Sequence, residues 1–352
     1  MTQITRFVFL PALIGAVIGL AILVWDGDSN GVADDKPGYA GAVQRAAPAV
    51  VNIYTTKFTR RGLLCSIPAY ASLCASLREE PQVQNALGSG VIVHGDGYVL
   101  TNGHVVAGAD EILVMFANNQ ARAAEVIGVD PHTDLAVIKV PESGLPVIET
   151  DTDSTVQVGD VALAIGNPFG LGHSVSQGIV SALSRNIITN SPYDDFIQTD
   201  AAISPGNSGG ALVDHEGRLL GINTMIYSSS GGSEGIGFAI PTELALWVVE
   251  QIVANGRVIR GWLGVSLTPV PMPEEPQGLT VTAVHPKGPA AQAGLLAGDV
   301  IAAVNGAPAI NAYAITDVIA QTRPGTPIEI EVKRNGQMFR GQAIAGELPP
   351  PS

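Results

Sequence analysis

FIQTDAAISPGNSGGALVD, residues 196–214, sets two strand-length apolar runs on either side of a bend in which three glycines surround Ser208. Glycine reaches backbone angles that residues with a Cβ avoid, so ISPGNSGG (203–210) suits any tight connection between strands. The same unit, a short run closed by a turn, recurs along the chain. AVVNIY, GSGVIVH, GYVLTNGHVV, EILVMFA, AAEVIGVD, LAVIKV, VALAIGNP, GIVSAL, LLGINTMIY and GIGFAIP are all of strand length and bounded by Gly, Asp, Asn or Pro. That pattern, with 41 glycines in 352 residues, predicts a mainly β sandwich or barrel and not a helical bundle. Within the bend, Ser208 is either a nucleophile or a polar turn residue, and the bend alone favours the second.

Outward from the bend the pattern changes twice. PTELALWVVEQIVANG (241–256) has apolar residues at helical spacing, a Thr242 cap after Pro241 and Gly256 past its end, which predicts a helix. A smaller α+β unit follows, with strands in GWLGVSL and GLTVTAVHP, an amphipathic helix in NAYAITDVIAQTR and a closing hairpin around Asn335-Gly336. The expected division is a β domain over 42–257, the α+β domain over 258–346 and a tail over 347–352.

Ahead of the β domain, FVFLPALIGAVIGLAILVW (7–25) has no charge over 19 positions. As a helix it spans about 28 Å, enough for the ~30 Å hydrocarbon core of a bilayer. Arg6 precedes it and Asp26 and Asp28 follow, so residues 1–6 form a cytoplasmic stub and the remainder lies outside. A cleaved signal peptide is the competing reading, with GVA at 31–33 as the cleavage site. The length of the apolar run favours a retained single-pass anchor. Residues 26–41, polar and acidic, read as a tether.

Bulk properties exclude some functions. A net charge of −14, with no basic run, argues against nucleic acid as a partner. The two cysteines, Cys65 and Cys74, lack the paired spacing of a zinc site, so no metal is expected; outside the cytoplasm a disulfide is their natural state.

A serine hydroxyl needs a base within hydrogen-bond reach and a group that orients that base. His104 in TNGHVV sits where an apolar strand breaks, and Asp134 in HTDLAVIKV directly precedes another strand. Alone, the first is an ordinary loop histidine and the second a turn cap. Together with Ser208 they run in the order His, Asp, Ser, 30 and 74 residues apart, the order of double-barrel serine proteases.

TNGHVV, HTDLAVIKV, AIGNPFGLGHSVSQGIVS, QTDAAISPGNSGGALV and EGIGFAIP, in register from about Ala42 onward, resemble the HtrA/Deg family of serine proteases. The single anchor and RVIRGWLGV leading into one PDZ domain are similar to its membrane-anchored regulatory members. The resemblance implies a chymotrypsin-like double β-barrel followed by a PDZ domain, a homotrimer at the bacterial inner membrane facing the periplasm, and no cofactor. It implies Ser208 as nucleophile, His104 as general base and then acid, and Asp134 as the group that fixes the imidazole. Gly206, Asn207 and Ser208 would supply the oxyanion amides. Ile203, Met225 and Tyr227 would wall a pocket for a small or medium apolar side chain, the alternative being that they fill the core.

In the PDZ unit, Trp262, Leu263, Gly264 and Val265 match a carboxylate-binding loop; Leu263 and Val265 are equally readable as strand core. Arg185 aligns with an arginine linking the two domains, or is plain surface charge, and Gln198 with an activation network. The implied partners are C-termini of misfolded outer-membrane proteins as activators and a membrane anti-sigma factor as substrate. A general quality-control protease, or a PDZ scaffold without turnover, are the alternatives. The segment between Tyr54 and Gly88, which holds both cysteines, is longer than the regulatory pattern leads one to expect.

Overall fold

The computed structural model describes residues 38–59, 82–151, 155–166, 174–185, 193, 195–226, 235–269, 278–310 and 312–349. The apolar segment 7–25, Cys65, Cys74 and Tyr227, and the side chains of Arg185 and Met225, lie outside them. No helix among the described residues is long and apolar enough to cross a membrane.

A short helix α1 (Ala40–Ala46) leads into seven antiparallel strands: β1 (Val50–Thr59), β2 (Gln82–His94), β3 (Tyr98–Asn102), β4 (Glu111–Met115), β5 (Ala121–Ala123), β6 (Glu125–Asp130) and β7 (Leu135–Lys139). Their order is β5-β4-β1-β2-β3-β7-β6. By hydrogen bonding this is an open sheet, where a barrel is expected from the sequence. Its two edge strands, however, are halves of one run parted only by Ala124, whose amide still bonds to Ile112 O on β4. The chain itself therefore joins the edges. Alternate residues of β1, β2, β3 and β7, among them Val51, Ile53, Ile92, Val99, Ala136 and Ile138, point into one shared core.

The second half is hydrogen-bonded all the way round: β8 (Val161–Gly166), β9 (Ser174–Arg185), β10 (Phe196–Thr199), β11 (Ala211–Val213), β12 (Leu219–Ile226) and β13 (Gly237–Pro241) form a closed barrel. Helix α2 (Gly103–Val106), one turn long, belongs to the first half, and α3 (Thr242–Asn255) follows the second. Gly256 ends α3 at φ +74°, with its amide on Ile252 O, as the sequence predicts. Gly128 of β6 packs directly against that end: a Cβ there would lie 2.5 Å from Gly256 O. Helix α3 thus crosses back onto the first half.

The last unit begins at β14 (Gly261–Trp262). It contains β15 (Val265–Pro269), β16 (Leu279–Val284), α4 (Pro289–Gln292), β17 (Val300–Val304), β18 (Ala307–Pro308), α5 (Ala312–Gln321), β19 (Pro327–Arg334), β20 (Gln337–Ile344) and β21 (Gly346–Glu347). Its own core is built from Leu279, Val281, Ile301, Ile315, Ile328 and their neighbours. The hairpin expected at Asn335-Gly336 joins β19 to β20, with both turn residues at positive φ.

Candidate active site

His104 is exposed between buried neighbours, because Gly103, Val105 and Val106 are buried and Val105 and Val106 belong to the first core. The one-turn helix therefore turns the imidazole out of the strand end. Asp134 lies opposite, at the end of the turn between β6 and β7, with φ +54°. A non-glycine residue in that region costs energy and persists only where its surroundings hold it. Here the hold is fourfold. The Asp134 carbonyl accepts from Gly103 N at 2.8 Å and Asn102 Nδ2 at 3.0 Å, and its carboxylate accepts from His104 N at 2.8 Å and His104 Nδ1 at 2.5 Å. With Nδ1–H donated to the carboxylate, Nε2 is left as the base. Gly103 is closely approached, since a Cβ there would sit 3.0 Å from Asp134 Oδ1 and press on the carboxylate.

Ser208 stands on the connection from β10 to β11. Asn207 N donates to Ser204 O at 2.9 Å, so Ser204 to Asn207 form a turn with Pro205 and Gly206 at its corners and Gly206 at φ +100°. Gly209, at φ +82°, follows the serine and bonds to Asn223 O. The amides of Gly206 and Ser208 donate to no acceptor among the described residues, so both N–H groups are left for an outside acceptor. Asn207 is the correction to the expected set: its N–H is spent on Ser204 O and faces away from that role. The hydroxyl of Ser208 donates to Thr224 O at 3.0 Å and makes no hydrogen bond to His104. His104 and Asp134 are thus joined, while the Ser208 hydroxyl is bonded elsewhere.

Of the residues expected to wall a specificity pocket, Ile203 is 1% exposed and belongs to the core of the second barrel, packed against Gly237. The Met225 backbone pairs with Phe238 on β13. In the last unit, Trp262 pairs with Gly346 and stacks edge-on against His285, ring centroids 5.0 Å apart. Leu263 is a core residue, 2% exposed, whereas Val265 is half-buried at its margin. Gly264, at φ +79°, gives its carbonyl to His285 N, and the amides of Leu263 and Gly264 donate to no acceptor among the described residues. Arg185 ends β9, its backbone opposite Phe196, and half-buried Gln198 lies on β10 opposite Phe238 and Ala182.

The sequence reading missed an ion pair at the base of the turn that carries Asp134. Arg260, between α3 and β14, donates from Nη1 and Nη2 to Asp130 Oδ1 and Oδ2 at 2.7 and 2.6 Å, and the two side chains are 3% and 2% exposed. The guanidinium lies over Tyr193 and Trp247, 4.6 and 5.3 Å from the ring centroids. Asp130 is four residues before Asp134 and also accepts from Thr133 Oγ1, so the turn carrying the orienting acid is pinned to the segment entering the last unit. His132, in that turn, packs edge-on against Tyr193; burial and then the Arg260 charge hold its pKa below the usual imidazole value. Further ties run from Arg257 to Glu347 and from Tyr313 OH to Tyr193 O. The only signal in the sequence was the acid four positions before Asp134.

Comparison with known proteins gives the same picture. Residues 88–222 match the trypsin-like peptidase domain model and residues 261–340 the PDZ domain model. The serine endoprotease DegS of Haemophilus influenzae is 41% identical over 320 residues, covering 90% of this chain and 89% of its own length. A probable periplasmic serine endoprotease, DegP-like, of Ectopseudomonas mendocina is also 41% identical, over 94% of this chain and 74% of its own. Among solved structures, the HtrA-type protease AlgW with tripeptide superposes with a TM-score of 0.78 at 48% identity, covering 90% of this chain and 99% of that one. With this identity over nine-tenths of its length and a trypsin-like peptidase domain followed by a PDZ domain, the chain is a serine endopeptidase that belongs to the HtrA/Deg family.

Proposed function

We propose that this endopeptidase is a conditional one, held in a resting state and switched on through its PDZ unit by peptides that end in a free carboxylate. The observation that carries the reading is the split site, in which His104 and Asp134 are joined at 2.5 Å while the Ser208 hydroxyl donates to Thr224 O. In the active form Ser208 Oγ turns to His104 Nε2, which takes its proton as the oxygen attacks the scissile carbonyl. The resulting oxyanion rests on the amides of Gly206 and Ser208. His104 then returns the proton to the leaving amine, and water repeats the sequence on the acyl-enzyme. Asp134 holds the imidazole and stabilises its charged form.

The activator would add as a strand beside β15, its carboxylate on the free amides of Leu263 and Gly264. Arg185 and Gln198 are the candidates for passing the signal on. Ile203, Met225 and Tyr227 would shape a small apolar specificity pocket once the loop rearranges. The DegP-like relative of Ectopseudomonas mendocina is a probable periplasmic enzyme. Together with the uncharged stretch 7–25 this supports an inner-membrane anchor, a periplasmic catalytic domain over 42–257 and a PDZ domain over 258–346, assembled as a homotrimer. In that compartment Cys65 and Cys74 would be a disulfide. The natural substrate fits a membrane anti-sigma factor, and the activators fit the exposed C-termini of misfolded outer-membrane proteins.

The test uses the fragment from about residue 33 with an anti-sigma periplasmic domain and with casein, each with and without a peptide ending in an apolar residue. Cleavage of the first substrate alone, and only with peptide, is the expected result. Peptide-independent digestion of casein supports a general quality-control protease instead. Ser208→Ala lowers kcat by roughly 10⁴- to 10⁶-fold, and full activity in that variant removes the mechanism.

A further inference from the structure

Ser89 lies on β2, the first half of the protease domain, yet its polar groups serve the loop of the second half. It is fully buried. Its hydroxyl donates to Gly206 O at 2.7 Å, and its amide donates to Ser208 O at 2.8 Å. Its own carbonyl accepts from Thr101 Oγ1, also at 2.7 Å, three residues before His104. The approach is so close that a Cβ on Gly209 would fall 2.2 Å from Ser89 O and 2.3 Å from Thr101 Oγ1. One residue therefore bonds to the strand that carries the base and to both peptides that flank the oxyanion donors.

We propose that Ser89 is a positioning residue for the oxyanion hole, its hydroxyl fixing the peptide plane between Gly206 and Asn207. The carbonyl end of that plane is held by Ser89 Oγ and its N–H end by Ser204 O, at 2.7 and 2.9 Å. A trans peptide is rigid, so two anchors on opposite sides leave it no rotation. With this plane held, the direction of the Gly206 N–H depends on rotation of the neighbouring 205–206 peptide alone. The loop can then switch between donating and non-donating forms by turning one peptide while Ser208 keeps its register to His104. Without the hydroxyl, both planes turn and the Gly206 amide loses its aim. An ångström of misplacement at a reacting centre costs about 10²-fold in rate, and loss of one oxyanion donor costs about 10²- to 10³-fold.

The proposal rests on Ser208 as nucleophile and on the Gly206 and Ser208 amides as oxyanion donors. Its test is Ser89→Ala in the whole peptide-activated protein, beside Ser208→Ala. Expected for Ser89→Ala is a fall in kcat of about 10- to 100-fold with KM within about twofold. Affinity for a peptide boronate, whose tetrahedral adduct occupies the oxyanion site, falls by the same factor, and affinity for the product peptide does not change. A residue that only fills space between the two halves would lower the melting temperature without altering the ratio of boronate to product affinity. Where the alanine variant does not fold, Ser89→Cys keeps nearly the same volume with a weaker donor, and a smaller loss of the same kind is expected. An unchanged boronate-to-product ratio in a folded variant, with Ser208→Ala inactive, overturns the proposal and leaves the triad standing. Activity in Ser208→Ala overturns both.

Discussion

The two halves of the protease domain make their contributions to the site in opposite ways. In the first, His104 and Asp134 are bound to each other and to the backbone around them by four hydrogen bonds, on a one-turn helix and a tight turn whose neighbours are core residues. In the second, the barrel is the more completely closed of the two, yet Ser208 rides on a glycine-rich loop with its hydroxyl on Thr224 O. Closure of a sheet therefore says little about readiness of the residue mounted on it. On the proposed mechanism the first half holds the base ready, and control of activity falls on the second, where rotation of the 205–206 peptide decides whether the Gly206 amide faces the oxyanion.

If that contrast is right, damage to the first half should remove catalysis without touching the switch. Asp134→Asn is the sharpest case. An amide at the Oδ2 position donates to Nδ1, so the ring proton moves to Nε2 and the base is lost, while a carbonyl at Oδ1 still accepts from His104 N. A fall in kcat of about 10⁴-fold is expected, with activating peptide bound as tightly as in the wild type. Peptide titration and steady-state rates on the same samples check both parts; a fall limited to peptide affinity would place the switch in the first half.

The second expected effect is on the joint between that half and the PDZ unit. Arg260 and Asp130 are both almost fully buried, so removing either leaves a buried charge without its partner, at a cost of about 3–5 kcal/mol. Arg260→Met and Asp130→Leu singly should each lower the denaturant midpoint, and the double variant should lose much less than their sum. Additive losses would mean that the pair is not coupled. Because Asp130 is hydrogen-bonded within the turn that ends at Asp134, the single variants also test whether the finished base depends on the PDZ unit for its finish.

This contrast was half legible in the sequence. TNGHVV, HTDLAVIKV and GNSGG each put a candidate residue beside a Gly or a strand end; their order permitted a triad, and the family resemblance, carried by local motifs, supplied it. The helix over 242–255 and the hairpin at Asn335-Gly336 were legible for the same reason. What escaped were pairings between distant parts of the chain. Ser89 meets Gly206 across 117 positions and Arg260 meets Asp130 across 130, and no periodicity marks either. The spent amide of Asn207 was hidden too. It follows from the turn around Pro205-Gly206, whose hydrogen bond is a backbone event that side-chain chemistry does not show. The joining of the first sheet through Ala124 likewise depends on which strands pair, which the separate runs did not specify.

The smallest expected effect concerns the acidic side of the domain joint. Asp195, just before β10, accepts a hydrogen bond from Ser184 on β9 and faces Glu243 on α3 and Asp317 on α5. Burial first, and then the charges of Asp317 and Glu243, raise its pKa. Burial also raises that of Asp317, against the pull of Gln321 and of the Arg260 charge. A carboxyl with a raised folded-state pKa binds its proton more tightly folded than unfolded. The folded state therefore gains as pH falls through the raised value, and loses that gain as pH rises above it. Asp317→Asn removes one of the two charges while its side-chain oxygen can still accept from Gln321 Nε2. The variant should melt higher than the wild type at pH 7, by an amount on the order of a few degrees or less, and the two curves should converge toward pH 4. Parallel curves over that range would show that the joint carries no proton linkage through this pair. The pH dependence would then belong to the surface, and the contrast between a fixed first half and a movable second would have to rest on the oxyanion loop alone.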